Sequence, residues 1–413
     1  MSARKIYQLE GVRAIGALIV FICHFQIILV PKFYDNWYTL MYLNGRDAFG
    51  KLNWIGTAAN ANGRLAHSIS NFTVLSSNLM INGNLVLHIF WALSAYVIFK
   101  KFFEYGTTES MLISSSVKRY FRLMIPCAVS IFFSYIIYKA GLIYVTKLGV
   151  KTLQENLYTI PPTFIHALRT SVWSTLFNYD YYDSYNGPLW TIQREFYGSI
   201  FCFALFGVVG RNYKRGFIYL LLFLCVGLLK MYWLNSFLFG YFLADYDFTP
   251  TNSLKVKQLI ARINTWIDTH QLLTVFAVLC AFIVCKMIIY KHIEWMDMIN
   301  SFLCYLVILI TFRIRVVSAL MSRKVLTALG KVSFGIYVLH WPILCSFSSW
   351  LYLRHPDHNN AFIFLLFFLS LSLTILLSWI FYKLVDMKSI SLAGKISKRF
   401  NAYITTKPEA LQH

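Results

Sequence analysis

Arg13 and His24 lie in and beside the first apolar run of the chain, eleven residues apart. At about 100° per residue that separation is roughly 20° short of whole turns, so both side chains share one helix face, about 16 Å apart. Ionisable groups within a hydrocarbon layer are costly, and they usually face a cavity or a pathway. Burial favours the uncharged imidazole, so His24 is able to take a proton from a hydroxyl as a general base. A guanidinium on the same face would order such a site and offset charge on a developing oxyanion. A lone buried histidine is more often a packing residue; the shared face with Arg13 is what sets His24 apart.

Three further segments carry groups suited to the same chemistry. In Lys118-Arg119-Tyr-Phe-Arg122 the two arginines stand three apart and so share a helical face. Guanidinium forks suit phosphate oxygens, although a basic cluster beside an apolar run also serves as a topology signal or lipid anchor. Glu195 is the one acidic residue set well inside an apolar segment. It is expected either to pair with a cavity arginine such as Arg13 or to act in catalysis. Its neighbour Arg194 points about 100° away and is not a natural partner. The run Ser333-Phe-Gly-Ile-Tyr-Val-Leu-His-Trp-Pro342 brings His340 and a helix-kinking proline together. His340, Tyr337, Trp190 and His88 are the candidates for the acceptor side.

The elements that must position these residues are membrane helices. The 413 residues are 58% hydrophobic and 13% charged, against roughly 25% charged in a soluble domain. Apolar windows of spanning length fall at 14–31, 84–103, 121–143, 188–209, 216–233, 271–290, 298–313, 326–347 and 361–383, with a shorter tenth at 234–245. The net charge of +21 comes from Lys and Arg placed between these windows, mostly in alternate segments. That distribution sets topology and places both termini in the cytoplasm; it does not mark nucleic-acid binding. The reading is an all-α, polytopic protein of ten helices, with residues 1–385 as the transmembrane domain and 386–413 as a polar, mobile cytoplasmic tail.

Two outer loops, 32–83 and 144–187, are too long for simple turns, and their Tyr, Asn and Asp suit contact with sugars or with the membrane interface. Asn71-Phe-Thr73 fits a glycosylation sequon, and 254–270 reads as a short amphipathic segment. The eight cysteines lie singly in apolar stretches without metal-ligand spacing, so no metal site or disulfide is expected. No nucleophile elbow, zincin or Walker motif occurs.

Taken in order, these segments resemble acyltransferase family 3, integral-membrane O-acyltransferases of extracytoplasmic acceptors in bacteria. The resemblance rests on Arg13-x10-His24, Arg119-x-x-Arg122, Pro188-Leu-Trp-Thr-Ile-Gln-Arg-Glu195 and the run ending His340-Trp-Pro342. It departs at Phe90-Trp-Ala-Leu-Ser-Ala95, where alanine replaces the family's glycine, and at His88, where an acidic residue is common. The resemblance implies that Arg13 and His24 are catalytic and that Arg119 and Arg122, with Lys118 beside them, hold the phosphates of acetyl-CoA. It also implies transfer of an acetyl group to a hydroxyl of a glycan or lipid-linked glycan, at the cytoplasmic (inner) membrane of the cell. A transporter or flippase is the alternative, and it usually carries internal repeat symmetry, which is not evident here.

Overall fold

The computed structural model describes residues 7–29, 83–148, 158–210, 215–248, 262–263, 265–291, 295–355 and 359–406. Among them there is no strand. The principal helices are α1 (Tyr7–Leu29), α2 (Gly83–Tyr105), α3 (Glu109–Lys139), α4 (Trp190–Val209), α5 (Arg215–Leu228), α6 (Trp233–Phe248), α7 (Gln271–Lys291), α8 (Met296–Arg313), α9 (Lys324–Ile343), α10 (Asn360–Phe381) and α11 (Met387–Thr406). Among the described residues seven helical runs are long and apolar enough to cross a membrane, and α5 and α7 hold shorter apolar helices. Each of the ten apolar windows contains a helix among its described residues.

Local chemistry sets the helix ends. The Thr108 hydroxyl accepts from Met111 N to start α3, and Asn359 Oδ1 accepts from Phe362 N at 2.9 Å to start α10. Gly210, at a φ of 48°, ends α4. Starting at Glu109 rather than near residue 121, α3 carries the Lys118–Arg122 cluster inside a helix, because the Thr108 cap lies well upstream of the apolar window. Pro342 has no N–H, so the Val338 carbonyl one turn back loses its helical donor. The buried Asn186 side chain supplies the replacement, its Nδ2 donating to Val338 O at 2.8 Å. Beyond Pro342 the helix continues through a π turn at Leu344–Ser348.

Close approach of α1 to α9 and α2 rests on glycines. A Cβ at Gly330 would collide with the Glu10 carbonyl, and one at Gly11 with the Met321 carbonyl. Gly16 abuts Phe90 and Val86, and Gly240 lies against the Ala92 carbonyl. Helices in lipid associate through van der Waals contact and not through hydrophobic burial, so small residues at the crossing set how near backbones come. Gly330→Ala should therefore push α9 off α1 and lower stability by about 1–3 kcal/mol. Thermal unfolding in detergent reads the loss, and an unchanged melting temperature would contradict the contact.

The short window 234–245 becomes α6, whose Phe237, Tyr241 and Ala244 have no exposed surface. It packs between α2, α4 and α8, with Phe99, Phe103 and Phe206 of α2 and α4 around the Tyr241 ring. The tail differs from the sequence reading. Residues 387–406 form helix α11 rather than a mobile segment, because Ala393 and Ser389 on its less polar side bury against α3. Loop 144–187 contains short helices between Phe164 and Phe177. Residues 32–82, with His67 and the Asn71 sequon, most of 254–270, and 407–413 lie outside the described residues.

Candidate active site

A cavity of about 160 Å³ opens between α1, α2, α3, α4 and α9. Its charged lining is Arg13, Arg119, Arg122 and Glu195, three guanidiniums to one carboxylate. A space of this size is far above the ~15 Å³ that one water needs, and its walls are polar enough to be wet. Arg119 Nη2 pairs with Glu195 Oε1 and donates to Ser94 Oγ at 2.6 Å, while its Nε donates to Ser199 Oγ at 3.1 Å. Both side chains of the pair are largely buried. Arg122 Nη1 pairs with Asp386 Oδ1 at 2.7 Å and donates to Ser389 Oγ at 3.2 Å. Arg13 has no ion-pair or hydrogen-bond partner among the described residues, which leaves its guanidinium available to an anion in the cavity.

Glu195 thus meets Arg119 and not Arg13, because α4 presents it to α3 beside Ser199, one turn along. Asp386 was not singled out from sequence. It sits in the π turn Tyr382–Asp386 between α10 and α11, at the edge of what reads as a polar tail.

Phe334 and Tyr337 of α9 also line the cavity, the Arg122 guanidinium lying 5.6 Å from the Phe334 ring centre. The Tyr337 hydroxyl donates to Pro188 O at 2.6 Å and is also joined to the Thr191 hydroxyl. One turn beyond, the rings of Tyr337 and His340 lie 6.0 Å apart. His340 is fully buried, and its Nε2 lies 3.0 Å from His24 Nδ1. Each Nδ1 also faces a main-chain oxygen, His24 to Val20 O at 3.1 Å and His340 to Ile336 O at 3.0 Å. A carbonyl oxygen only accepts, so in neutral rings both Nδ1 atoms carry the hydrogen, as assigned from this network. His340 Nε2 is then the acceptor from His24, and His24 Nε2 bears the lone pair.

His24 is half-buried and also packs edge-on against Trp341, centroids 5.3 Å apart. Chemically this is an imidazole base oriented by a second imidazole, in the manner of a base oriented by a third group. Arg13 sits about 16 Å further down α1. A group stabilising an oxyanion at His24 must come within about 3 Å of it, so the guanidinium of Arg13 is placed for the cavity and not for that oxyanion.

The other acceptor-side candidates belong to a second polar cluster. His88, with no exposed surface, has Nδ1 2.7 Å from Ser236 Oγ and Nε2 3.4 Å from Asp297 Oδ1. Asn84 Nδ2 donates to the same carboxylate at 3.2 Å, and Arg194 lies 3.7 Å from it. The Arg194 guanidinium stacks over Trp190 at 4.8 Å, with Trp233 and Trp91 at 5.7 and 6.0 Å. Arg194 and Glu195 point to different neighbours, as their 100° offset requires. Asp297 stands one residue before the apolar window at 298, a position from which sequence alone gives no sign that it faces inward.

Among the described residues no three His, Cys, Asp or Glu side chains converge as a metal site. Fold and site together define a multi-pass, all-α membrane protein with a basic cavity that ends one turn from a histidine pair. The chain matches the acyltransferase domain of family 3 over residues 6–383, nearly its whole length, and it belongs to that family. No curated protein and no solved structure matches it. It is a membrane acyltransferase.

Proposed function

We propose that the protein transfers an acetyl group from cytosolic acetyl-CoA to a hydroxyl of an extracytoplasmic glycan, free or lipid-linked, across the cytoplasmic (inner) membrane. On the sequence reading of ten helices with both termini inside, the Arg13, Arg119 and Arg122 end of the cavity would face the cytoplasm. The observation that supports this reading is adjacency: a cavity with surplus positive charge is lined by Tyr337, whose ring lies 6.0 Å from that of His340, the partner of His24.

Phosphates are too polar to enter hydrocarbon, so those of the donor stay with the arginines while the pantetheine arm reaches inward. His24 Nε2 takes the proton of the acceptor hydroxyl as its oxygen attacks the thioester carbonyl. Collapse of the tetrahedral intermediate expels the thiolate, which recovers that proton from the His24 imidazolium. His340 Nε2, accepting from His24 Nδ1–H, stabilises the ring as it becomes charged. Glu195 holds Arg119 in the cavity wall. Trp190, partly exposed beneath the Arg194 guanidinium, is expected to face the acceptor glycan, whereas the fully buried His88, held by Ser236 and Asp297, would act only by positioning that cluster.

Purified protein should melt at a higher temperature with acetyl-CoA, by about 2.7 kcal/mol of added stability at a hundredfold excess over Kd. Arg122→Gln should abolish most of that shift. A wild-type protein indifferent to acetyl-CoA would overturn the donor assignment and favour a transporter of another solute.

A further inference from the structure

The family domain ends at residue 383, so helix α11 lies outside what membership accounts for. It runs back along the first turns of α3. Ser397 Oγ donates to Ser114 O at 2.9 Å, and at the other end Asp386 and Ser389 hold Arg122 at 2.7 and 3.2 Å. α11 is therefore fixed at two points to the helix that carries Arg119 and Arg122.

The Ser397–Ser114 contact, one turn before Lys118, sets the neighbouring Lys398 of α11 beside Lys118 of α3, and Lys101 of α2 and Arg122 also lie within reach of its charge. Lys101 and Lys398 are exposed and Lys118 is half-buried. None of the three lysines forms an ion pair among the described residues. Like charges gathered without a carboxylate repel one another, and a multiply charged anion relieves that repulsion. Lysine ammoniums are compact point charges that bind phosphate without needing a bidentate geometry.

We infer that Lys101, Lys118 and Lys398 form a second anion subsite, walled on one side by α11, that binds a phosphate monoester at the end of the acyl donor farthest from its thioester. The inference rests on the acetyl-CoA reading above, in which the group is the 3′-phosphate of the donor's adenosine. A monoester carries close to two charges at neutral pH. A membrane lipid diester carries one, so three cations without a counter-charge match the monoester better.

The test uses the full chain in a nonionic detergent without lipid and compares the Kd of acetyl-CoA with that of 3′-dephospho-acetyl-CoA. The wild type should bind the dephospho compound about tenfold more weakly. Lys398→Ala and Lys101→Ala should each reduce that ratio below about threefold, with the dephospho affinity itself unchanged, which reports an intact fold. A wild type that binds both compounds equally, or variants that keep its ratio, would overturn the subsite while leaving the donor assignment standing. A wild type that binds neither compound would overturn both. Titration with phosphatidylglycerol separates the other source of phosphate: a rise in melting temperature that depends on Lys398, without 3′-phosphate discrimination, would make the patch a lipid anchor and end the inference.

Discussion

Replacing His24 by alanine should lower acyl transfer by on the order of a thousandfold while leaving the acetyl-CoA melting shift in place. In the proposed function the two readouts separate because the donor's charged end would sit at Arg13, Arg119 and Arg122, whereas His24 lies outside the cavity lining, paired with His340, whose ring is 6.0 Å from Tyr337. His340 sharpens the test. His340→Gln keeps an acceptor near His24 Nδ1 and should retain part of the activity, whereas His340→Leu removes the acceptor and should approach the His24→Ala loss. Mass spectrometry of acceptor glycans from cells that carry each variant gives the result directly. Unaltered acetylation with His24→Ala would remove the histidine from the mechanism. Equal activity of the glutamine and leucine variants at residue 340 would reduce His340 to a packing group.

Arg119→Ala should destabilise the protein by about 3–5 kcal/mol, because it leaves the Glu195 carboxylate largely buried and unpaired, with Ser94 as its remaining side-chain donor. The double variant Arg119→Met, Glu195→Met should recover most of that loss, since apolar replacement of a buried ion pair is often neutral. It should still bind acetyl-CoA weakly, for the cavity keeps Arg13 and Arg122 but loses one donor cation. Thermal unfolding with and without acetyl-CoA reads both quantities in one experiment. A single variant as stable as the wild type would mean that water solvates Glu195 freely. A double variant with the full ligand response would mean that Arg119 is structural alone.

Much of this architecture was legible in the residues. Hydropathy windows located the helices because a spanning helix must be apolar along its whole length, and the Arg13–His24 spacing fixed a shared face because the turn of an α-helix is a backbone property. Less could be read where a segment's character depends on its partner. The short window at 234–245 is counted as the tenth helix, but its length and hydropathy do not report what surrounds it, and only the structure makes α6 among the most deeply packed helices. Residues 386–413 looked like tail because their composition is polar; α11 forms because α3 extends far enough to offer it a surface.

The amino-acid sequence by itself determined the class of protein and the apolar helices, and it marked residue types suited to phosphate binding or proton transfer. Only the tertiary structure decided which of them meet: Arg119 with Glu195, Arg122 with Asp386, His24 with His340, and His88 with Ser236 and Asp297. The physical reason is that periodicity within one helix is set by its own backbone. Which side chain faces which across a helix pair depends on axial rotation, crossing angle and depth, and those are fixed by glycine contacts such as Gly330 against Glu10 between segments far apart in the chain.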